Sequence, residues 1–574
     1  MSETPRNKKT KSRGEDYIVQ GSILAAAAVI TKVIGVVYRI PLTNLLGDEG
    51  NGFYGYAYQV YAFALMISSL SLPTAVSKIV SMRVSVGQRR NAFRAFLCSL
   101  VFAVVVGFII AAAIFFGAGA ISEHVMKAPL SVYALKVLAP GLFIVAVMAV
   151  LRGYFQGLGT MMPTAISQVI EQIINAVISI IGASVLFGIG SRAGEEAGEE
   201  LLGPAYGAAG GTLGTVMGAL AGLLFLLFVL WLYRGGIKKQ LKRDHSKRKE
   251  TYSHILKALI LTALPVIFST AIYNINQIID LTVFNHIMAW QGFSEQEYMA
   301  LQGIYTGKYD PLINVPLSIP SAVSASIVPT LTAAVMSRQM KKVHYQIDQT
   351  LRIATIITIP SAVGIAVLAS PLMVLLYNDS SATPANLLML GAIVVVLYGW
   401  SSITNSVLHG LNYMSSPAKN AAIALGVHLA AFVVMLVVFR MNVYALVGSN
   451  IVFALIMCIL NQWKIRQVCG YKINIRNMFL KPFIASAVMG VITYVVWFVL
   501  DLLIGGRIFP SVIAICVAII VYVVMILKTG TLSEDDILSL PMGARLLRYS
   551  RRLRLLPESG NEDNDSDEFD DYDE

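Results

Sequence analysis

"ILAAAAVITKVIGVVYRIPLTNLL", residues 23–46, sits in a run from Tyr17 to Leu46 that is almost wholly apolar yet carries Lys32 and Arg39. About 20 apolar residues suffice to cross the hydrocarbon core of a bilayer, so the run reads as a transmembrane helix. A cation near the middle of such a helix costs roughly 2.5–3.5 kcal/mol on insertion scales, and this helix keeps two. With the helix starting near Tyr17 and rising about 1.5 Å per residue, Lys32 falls mid-membrane and Arg39 nearer the outer face. The seven-residue spacing is two turns, so both side chains leave one face of the helix, with Gly35 between them.

The rest of the 574 residues continues in the same vein. The chain is 56% hydrophobic and 13% charged, with a mean hydropathy of +0.68, which describes a protein whose solvent is mostly lipid. The pattern predicts an all-α polytopic membrane protein of fourteen transmembrane helices, starting near residues 17, 53, 91, 131, 161, 205, 253, 309, 350, 385, 416, 443, 479 and 508. No small-residue cleavage site follows the first apolar run, which reads as a retained helix. Alternating the loops places most Lys and Arg on the side of the N-terminus, so both termini are expected in the cytoplasm of a bacterial plasma membrane. "YRGGIKKQLKRDHSKRKE", 233–250, is the richest inner loop, whereas "SRAGEEAGEE", 191–200, is acidic and external. The net charge of +11 resides in these cytoplasmic segments and does not signal nucleic-acid binding. The tail "ARLLRYSRRLRLLPESGNEDNDSDEFDDYDE" reads as a basic amphipathic segment followed by an acidic stretch too poor in apolar groups to fold. The four cysteines lack metal-type or redox-type spacing and read as packing residues.

A duplication is visible. "YFQGLGTMMPTA" (154–165) resembles "VLHGLNYMSSPA" (407–418), and "GYAYQVYAFALMISSLSLP" from Gly55 has a counterpart in "GKYDPLINVPLSIPSAVSA" from Gly307, at nearly the same separation. Six helices per half is even, so the halves should be related by a pseudo-twofold axis along the membrane normal. The expected organisation is a basic cytoplasmic N-terminus (1–16), a first six-helix lobe (17–233), a basic cytoplasmic connector (234–252), a second six-helix lobe (253–467), two added helices (479–528) and a cytoplasmic tail, basic and then acidic (529–574).

Polar stripes run along several of these helices. "SQVIEQIIN" places Gln168, Glu171, Gln172 and Asn175 at i, i+3, i+4 and i+7, a stripe that must face protein or water. The seventh helix carries Asn276, Gln277 and Asp280, the tenth Ser402, Asn405, His409 and Asn412, and the eighth Asp310, Asn314, Ser318 and Ser321 among Pro311, Pro316 and Pro320. Lone Asn, Gln and Ser in such helices can tie helices together or touch a ligand, and Glu171 and Asp280 can pair with a neighbouring cation or meet a ligand. Lys78, Arg152 and Arg352 lie near cytoplasmic helix ends, where snorkelling competes with a cavity role. Gly207, Gly211, Gly214, Gly218 and Gly222 form a close-packing ladder on the sixth helix. Lys32 and Arg39 are the hardest to explain by packing. The candidate cavity residues are therefore Lys32, Arg39, Lys78, Arg152, Gln168, Glu171, Gln172, Asn175, Asp280, Asp310, Asn314, Asn405 and His409, with no catalytic or metal set.

No HExxH, GxSxG, P-loop or paired-carboxylate pattern is present, the seven histidines are scattered, and no soluble domain could hydrolyse ATP. A helical bundle with fixed positive charge inside is suited to moving an anion. The runs "GSILAAAAVITKVIGVVYRIPLTNLLGDEGNGFYGYAYQVY", "LSLPTAVSKIVSMRVSVGQRRNAFRAF" and "LRGYFQGLGTMMPTAISQVIEQIINAVISI" resemble the polysaccharide-transporter branch of the multidrug/oligosaccharidyl-lipid/polysaccharide (MOP) exporter superfamily. Within it they are most similar to MurJ-type lipid II flippases and the stage V sporulation protein B group. The resemblance, over about residues 17–530, implies two six-helix lobes, alternating access and a glycan diphosphate on a polyprenyl tail as cargo. It implies that Lys32 and the Arg39 region line the cavity receiving the diphosphate, and that the last two helices form a groove for the lipid tail. The sequence departs from the pattern at Asp310-Pro311-Leu312, where the MurJ type has Asp-Arg-Leu, and in lacking a mid-membrane arginine in the second helix.

The expected function is a flippase carrying an undecaprenyl-diphosphate-linked cell-wall glycan precursor, lipid II or a related lipid-linked oligosaccharide, from the inner to the outer leaflet. Burying its phosphates and hydroxyls in hydrocarbon unaided is prohibitive. An inside-negative potential favours outward movement by about 2.3 kcal/mol per negative charge per 100 mV, and Na+ or H+ are the candidate coupling ions. The alternative is a multidrug or cation antiporter of the related multidrug branch, for which buried carboxylates should dominate the cavity. No cofactor is expected, and the partners are the lipid-linked glycan diphosphate and membrane lipids. The orientation predicts that cysteines placed at Ser246 and Ser191 react with an impermeant thiol reagent from opposite faces of the membrane. Labelling of both on intact cells would overturn it.

Overall fold

The computed structural model describes residues 6–242, 244, 249–504 and 508–531. The predicted acidic tail, most of the basic connector between 243 and 248, and residues 1–5 lie outside them. Among the described residues the chain is helical with no strand, and it divides into two compact units, 1–312 with 421–452, and 313–420 with 453–574.

The first unit contains α1 (Arg6–Leu65), α2 (Leu72–Ser85), α3 (Arg89–Ala120), α4 (Val132–Gly157), α5 (Met162–Ala197), α6 (Leu202–Lys242), α7 (Tyr252–Trp290) and α8 (Glu295–Gly303). The basic segment predicted to precede the first span is continuous with α1 from Arg6 onward. Gly47 interrupts α1 with φ 68° and ψ −177°, a backbone region that only glycine enters without strain. Asn51 bridges this break, its Nδ2 donating to the carbonyl oxygens of Thr43 at 2.8 Å and Gly47 at 2.6 Å.

Twelve helical segments among the described residues are long and apolar enough to cross a membrane, and the chain is a multi-pass membrane protein. Fourteen were predicted. The expected spans from 17 and 53 fall within one continuous segment, 26–85, and α7, several of whose side chains are not described, is not counted among the twelve.

Small residues set the helix spacing. On α6, Gly214 and Gly218 lie against the backbone of α5 at Asn175 and Glu171, while Gly207 and Gly211 pack on Leu46, Tyr54 and Leu42 of α1. The predicted ladder thus serves α1 and α5, with Gly222 also reaching Met148 of α4, and Gly210, which it omitted, meets the backbone of Gly182 directly. α1 meets α8 and the following π-helical segment (Ile304–Tyr309) just as closely. Gly52 abuts the Met299 carbonyl, Gly303 the Asp48 carbonyl, Gly55 the side chain of Thr306 and Gly307 that of Asn51. Lys308, itself buried, closes the contact with an ion pair to Asp48 at 2.6 Å. This packing joins residues on both sides of the 234–252 connector within the first compact unit. At the other end of the unit, Arg83 forks onto Glu250, and Asn91 accepts from the Glu250 amide at 3.2 Å, fastening the start of α7 to α2 and α3.

The second unit holds most of α9 (Asp310–Met336), with α10 (Met340–Val367), α11 (Ala369–Tyr377), α12 (Ala382–Gly410), the start of α13 (Ser415–Val437), most of α14 (Tyr444–Cys469), α15 (Lys481–Ile504) and α16 (Ile508–Lys528). Leu331, Leu351, Val407 and Ile465 centre its core. The added pair α15 and α16 packs on α10, where Tyr522 Oη donates to the Ile356 carbonyl at 2.6 Å.

The duplicated segments adopt one local structure in their respective units. Leu158 donates to the Tyr154 carbonyl and Thr160 to that of Phe155; Leu411 donates to Val407 and Tyr413 to Leu408. Gly159 and Asn412, equivalent in the repeat, both have positive φ, at 86° and 68°. Gly157 and Gly410, also equivalent, each press on a neighbouring helix, at Val80 and Leu331.

Gly303→Ala should test the α1–α8 contact, because its methyl group would occupy the place of the Asp48 carbonyl oxygen. The expected cost is about 1–3 kcal/mol, the usual range for overpacking. Gly235→Ala, which meets nothing within 4 Å, serves as control. Thermal unfolding of the purified proteins should show a lowered midpoint for the first and none for the second.

Candidate functional site

Gly35 lets the first helix lie close to the polar stripe of the fifth, since a side chain there would meet Gln172 Nε2 at 3.3 Å. One turn further on, Tyr38 Oη accepts from Asn175 Nδ2 at 3.2 Å, and Asn175 Oδ1 accepts from Ser179 at 2.9 Å. α5, held between α1 and α6, thereby keeps its stripe inside the protein. The stripe opens on a cavity of about 420 Å³ within the first unit, walled by α1, α4, α5, α6, α7 and the 304–311 segment.

Arg39 enters this cavity stacked on the ring of Tyr54, with Cζ 4.2 Å from the ring centroid. No ion pair is found for Arg39 among the described residues. A guanidinium held by an aromatic face keeps its N–H edge available for an anion, which an ion pair would consume. Tyr54 stacks in turn on Tyr58 at 6.0 Å with an interplanar angle of 9°, and Tyr58 leads to Tyr61 at 6.1 Å. The cavity therefore has an aromatic wall on one side of the cation.

The other charges in the cavity include two matched pairs. Arg152 Nη2 meets Glu171 Oε2 at 2.6 Å, and Arg152 Nε donates to Ser167 at 3.0 Å. Asp280 meets His428 Nε2 of α13 at 2.5 Å, and the opposite ring nitrogen, Nδ1, lies 2.8 Å from the Ser449 carbonyl oxygen. The register of α7 against α1 is set by Tyr56, whose hydroxyl donates to the Leu281 carbonyl.

Seven of the predicted residues share the cavity: Arg39, Arg152, Glu171, Gln172, Asn175, Asp280 and Asp310. Lys32 does not line it. It stands exposed two turns before Arg39, toward the start of α1. Gln168, one turn before Glu171, is likewise outside the lining, and Lys78 projects from the exposed face of α2 whose opposite face buries Ala75, Val76 and Ile79. Asn314, Asn405 and His409 belong to the second unit. Asn405 ties helices together there: it accepts from Asn461 at 2.8 Å, Asn461 also donates to Thr404 at 3.2 Å, and Asn420 donates to Asn461 at 2.8 Å. Asn314 is exposed on α9, and His409 is exposed in the last turn of α12. Sequence reasoning missed the tyrosine wall and His428. The first had a signal in the i, i+4, i+7 spacing of Tyr54, Tyr58 and Tyr61; the second, a lone histidine in an apolar helix, had none.

The polysaccharide biosynthesis protein family matches residues 19–335. The chain is 25% identical to the lipid II flippase MurJ of Bacillus subtilis (strain 168), covering 84% of this chain and 89% of that one. It is also 25% identical to stage V sporulation protein B of the same organism, over 92% and 98%. Among solved structures its fold is similar to a MATE-family multidrug resistance transporter of the MOP superfamily in its inward-facing conformation, with a TM-score of 0.61 at 15% identity over 77% of this chain and 96% of that one. It is similar as well to MurJ in an inward closed conformation, with a TM-score of 0.60 at 14% identity over 88% and 97%. With more than half of its length matched, the chain belongs to the polysaccharide biosynthesis protein family.

Proposed function

We propose that this protein is a flippase for a polyprenyl-diphosphate-linked glycan precursor of the cell wall, carrying it from the inner to the outer leaflet of the plasma membrane by alternating access. The observation that carries the reading is Arg39, a cation kept inside a membrane helix, with no ion pair among the described residues, and presented to a polar cavity by Tyr54. Its cost on insertion is returned only when an anion arrives. The diphosphate is assigned to Arg39, and the glycan to the amides and tyrosines beside it, while the lipid tail stays in the bilayer against α15 and α16. Lys32, exposed two turns before Arg39 on the same helix, is placed on the entry path from the cytoplasmic side. The membrane potential, Na+ or H+ supplies the drive.

The multidrug antiporter reading draws on the MATE-like fold and on Glu171, Asp280 and Asp310 in the cavity. It is the weaker one because Glu171 and Asp280 already face Arg152 and His428, leaving them poorly placed to attract a cationic drug. Purified protein in liposomes should flip undecaprenyl-diphosphate-linked glycans and leave cationic dyes untouched. Dye export with no glycan flipping would reverse the assignment.

Two substitutions separate binding charge from structural charge. Arg39→Ala should lower flipping by about ten- to a hundredfold, the loss of one charge-assisted contact of ~1.5–3 kcal/mol, with unchanged abundance and thermal midpoint. Arg39→Lys should restore part of the activity, since a point charge still serves a phosphate.

Arg152→Ala, by contrast, leaves Glu171 without its cation. The pair is only partly shielded, with side chains 14% and 28% exposed, so a loss of stability of about 1–3 kcal/mol is expected, below the range for fully buried pairs. Pairing that change with Glu171→Gln should return the midpoint toward that of the parent in the same thermal assay.

A further inference from the structure

The contact between Asp280 and His428 carries information about protons. A carbonyl oxygen can only accept, so the 2.8 Å contact from His428 Nδ1 to the Ser449 carbonyl requires a proton on Nδ1. Nε2 then faces Asp280 Oδ1 at 2.5 Å. A bare imidazole lone pair and a carboxylate lone pair would repel at that distance, so a second proton must lie between them. The pair is therefore neutral as a unit, whether written as imidazolium and carboxylate or as imidazole and carboxylic acid.

Its surroundings make that proton consequential. The side chains of His428 and Asp280 are 0% and 5% exposed, so removing the shared proton leaves a net negative charge that is largely buried. Yet Asp280 is also part of the cavity wall, within reach of whatever occupies it. Among the described residues, the other charged and titratable groups of the cavity wall and its adjoining contacts are Arg39, Tyr38, Tyr54, Tyr56, Tyr58 and Tyr61 on α1, Arg152 on α4 paired with Glu171 on α5, Tyr305 and the Lys308–Asp48 pair beside α8, and Asp310 at the start of α9. From α14 the pair meets a backbone carbonyl.

We propose that Asp280 and His428 form a proton-binding site linked to anion occupancy of the cavity. With the bridging proton bound, the wall is neutral and α13 is tied to α7. With it lost, a carboxylate faces the cavity and repels an anion. Proton and anion therefore favour each other's binding, and by reciprocity an arriving anion draws a proton onto the pair. The inference deepens the transport reading and rests on it for the identity of the anion.

The test is calorimetric titration of the full-length purified protein with undecaprenyl diphosphate lacking any glycan, between pH 6 and 9, in two buffers of different ionisation enthalpy. In the parent, affinity should fall with rising pH, by up to about tenfold per pH unit at the one-proton limit. Proton uptake per anion should exceed that of Asp280→Asn and His428→Gln by about one. The protons of the lipid diphosphate itself are common to all three proteins and cancel in the comparison. Equal uptake and equal pH dependence in parent and variants would overturn the proposal.

A measurement on the parent alone guards against variants that fail to fold. Nitrogen-15 spectra of imidazole-labelled protein should show one solvent-protected histidine that loses a proton within the same pH range and regains it when the lipid diphosphate is added. A protected histidine that keeps one state throughout overturns the site. A parent that binds no lipid diphosphate at any pH overturns the transport reading instead, and the proton site is then decided by the ligand-free imidazole titration.

Discussion

The close approach of α1 to α8 and the π-helical segment after it fixes most of what the first unit can do. Helices separated by ordinary side chains lie 8–10 Å apart. Here glycines on both partners remove that spacing, so that Gly52 and Gly303 each reach a carbonyl of the other strand of chain. The contact is reciprocal, and segments that the duplication relates, around Gly55 and Gly307, lie on its two sides. From it follow the position of Tyr56 on Leu281, hence the register of Asp280, and the position of Tyr54 two residues before it, hence that of Arg39. The cavity is in this sense built outward from a glycine seam.

The charges inside that cavity follow one rule with one exception. Glu171 and Asp280, the acids whose partners are seen there, each face a cation or a histidine, and the Asn175 amide of α5 is bonded to Tyr38 and Ser179. Arg39 departs from the rule, with a π-face in place of a carboxylate. An aromatic face holds a guanidinium by about 0.5–2 kcal/mol without neutralising it. That choice preserves the field of the cation inside a medium of low dielectric.

Much of this was legible in the sequence because hydrophobicity and period act locally. The all-helical class, the stripe from Glu171 to Asn175 and the anomaly of Arg39 all follow from residues within a few turns of each other. The repeat was readable for the same reason: a helix end, a left-handed residue and a new helix start occupy a dozen residues in each half. What could not be read is what depends on partners far along the chain. Asn405 looked like a cavity residue and is a strut because Asn461 and Asn420 come to it from other helices. His428 looked like nothing until Asp280, 148 positions away, was placed beside it. The span count is a different matter: the helices on either side of the Gly47 break run on within one segment, and α7 is described only in part, so twelve segments among the described residues neither reach nor exclude the expected fourteen.

The Arg152–Glu171 bridge also bears on how the protein is made. Its partners lie on α4 and α5, consecutive helices joined by a four-residue turn, so the two charges can find each other within one hairpin as soon as it emerges from the ribosome. A hairpin that enters the bilayer already neutralised avoids most of the insertion penalty of its separate charges. α1 has no such companion. Lys32 and Arg39, the two cations in its apolar stretch, must be taken up by the insertion machinery before α5 exists, so the integration of α1 depends on the flanking apolar residues.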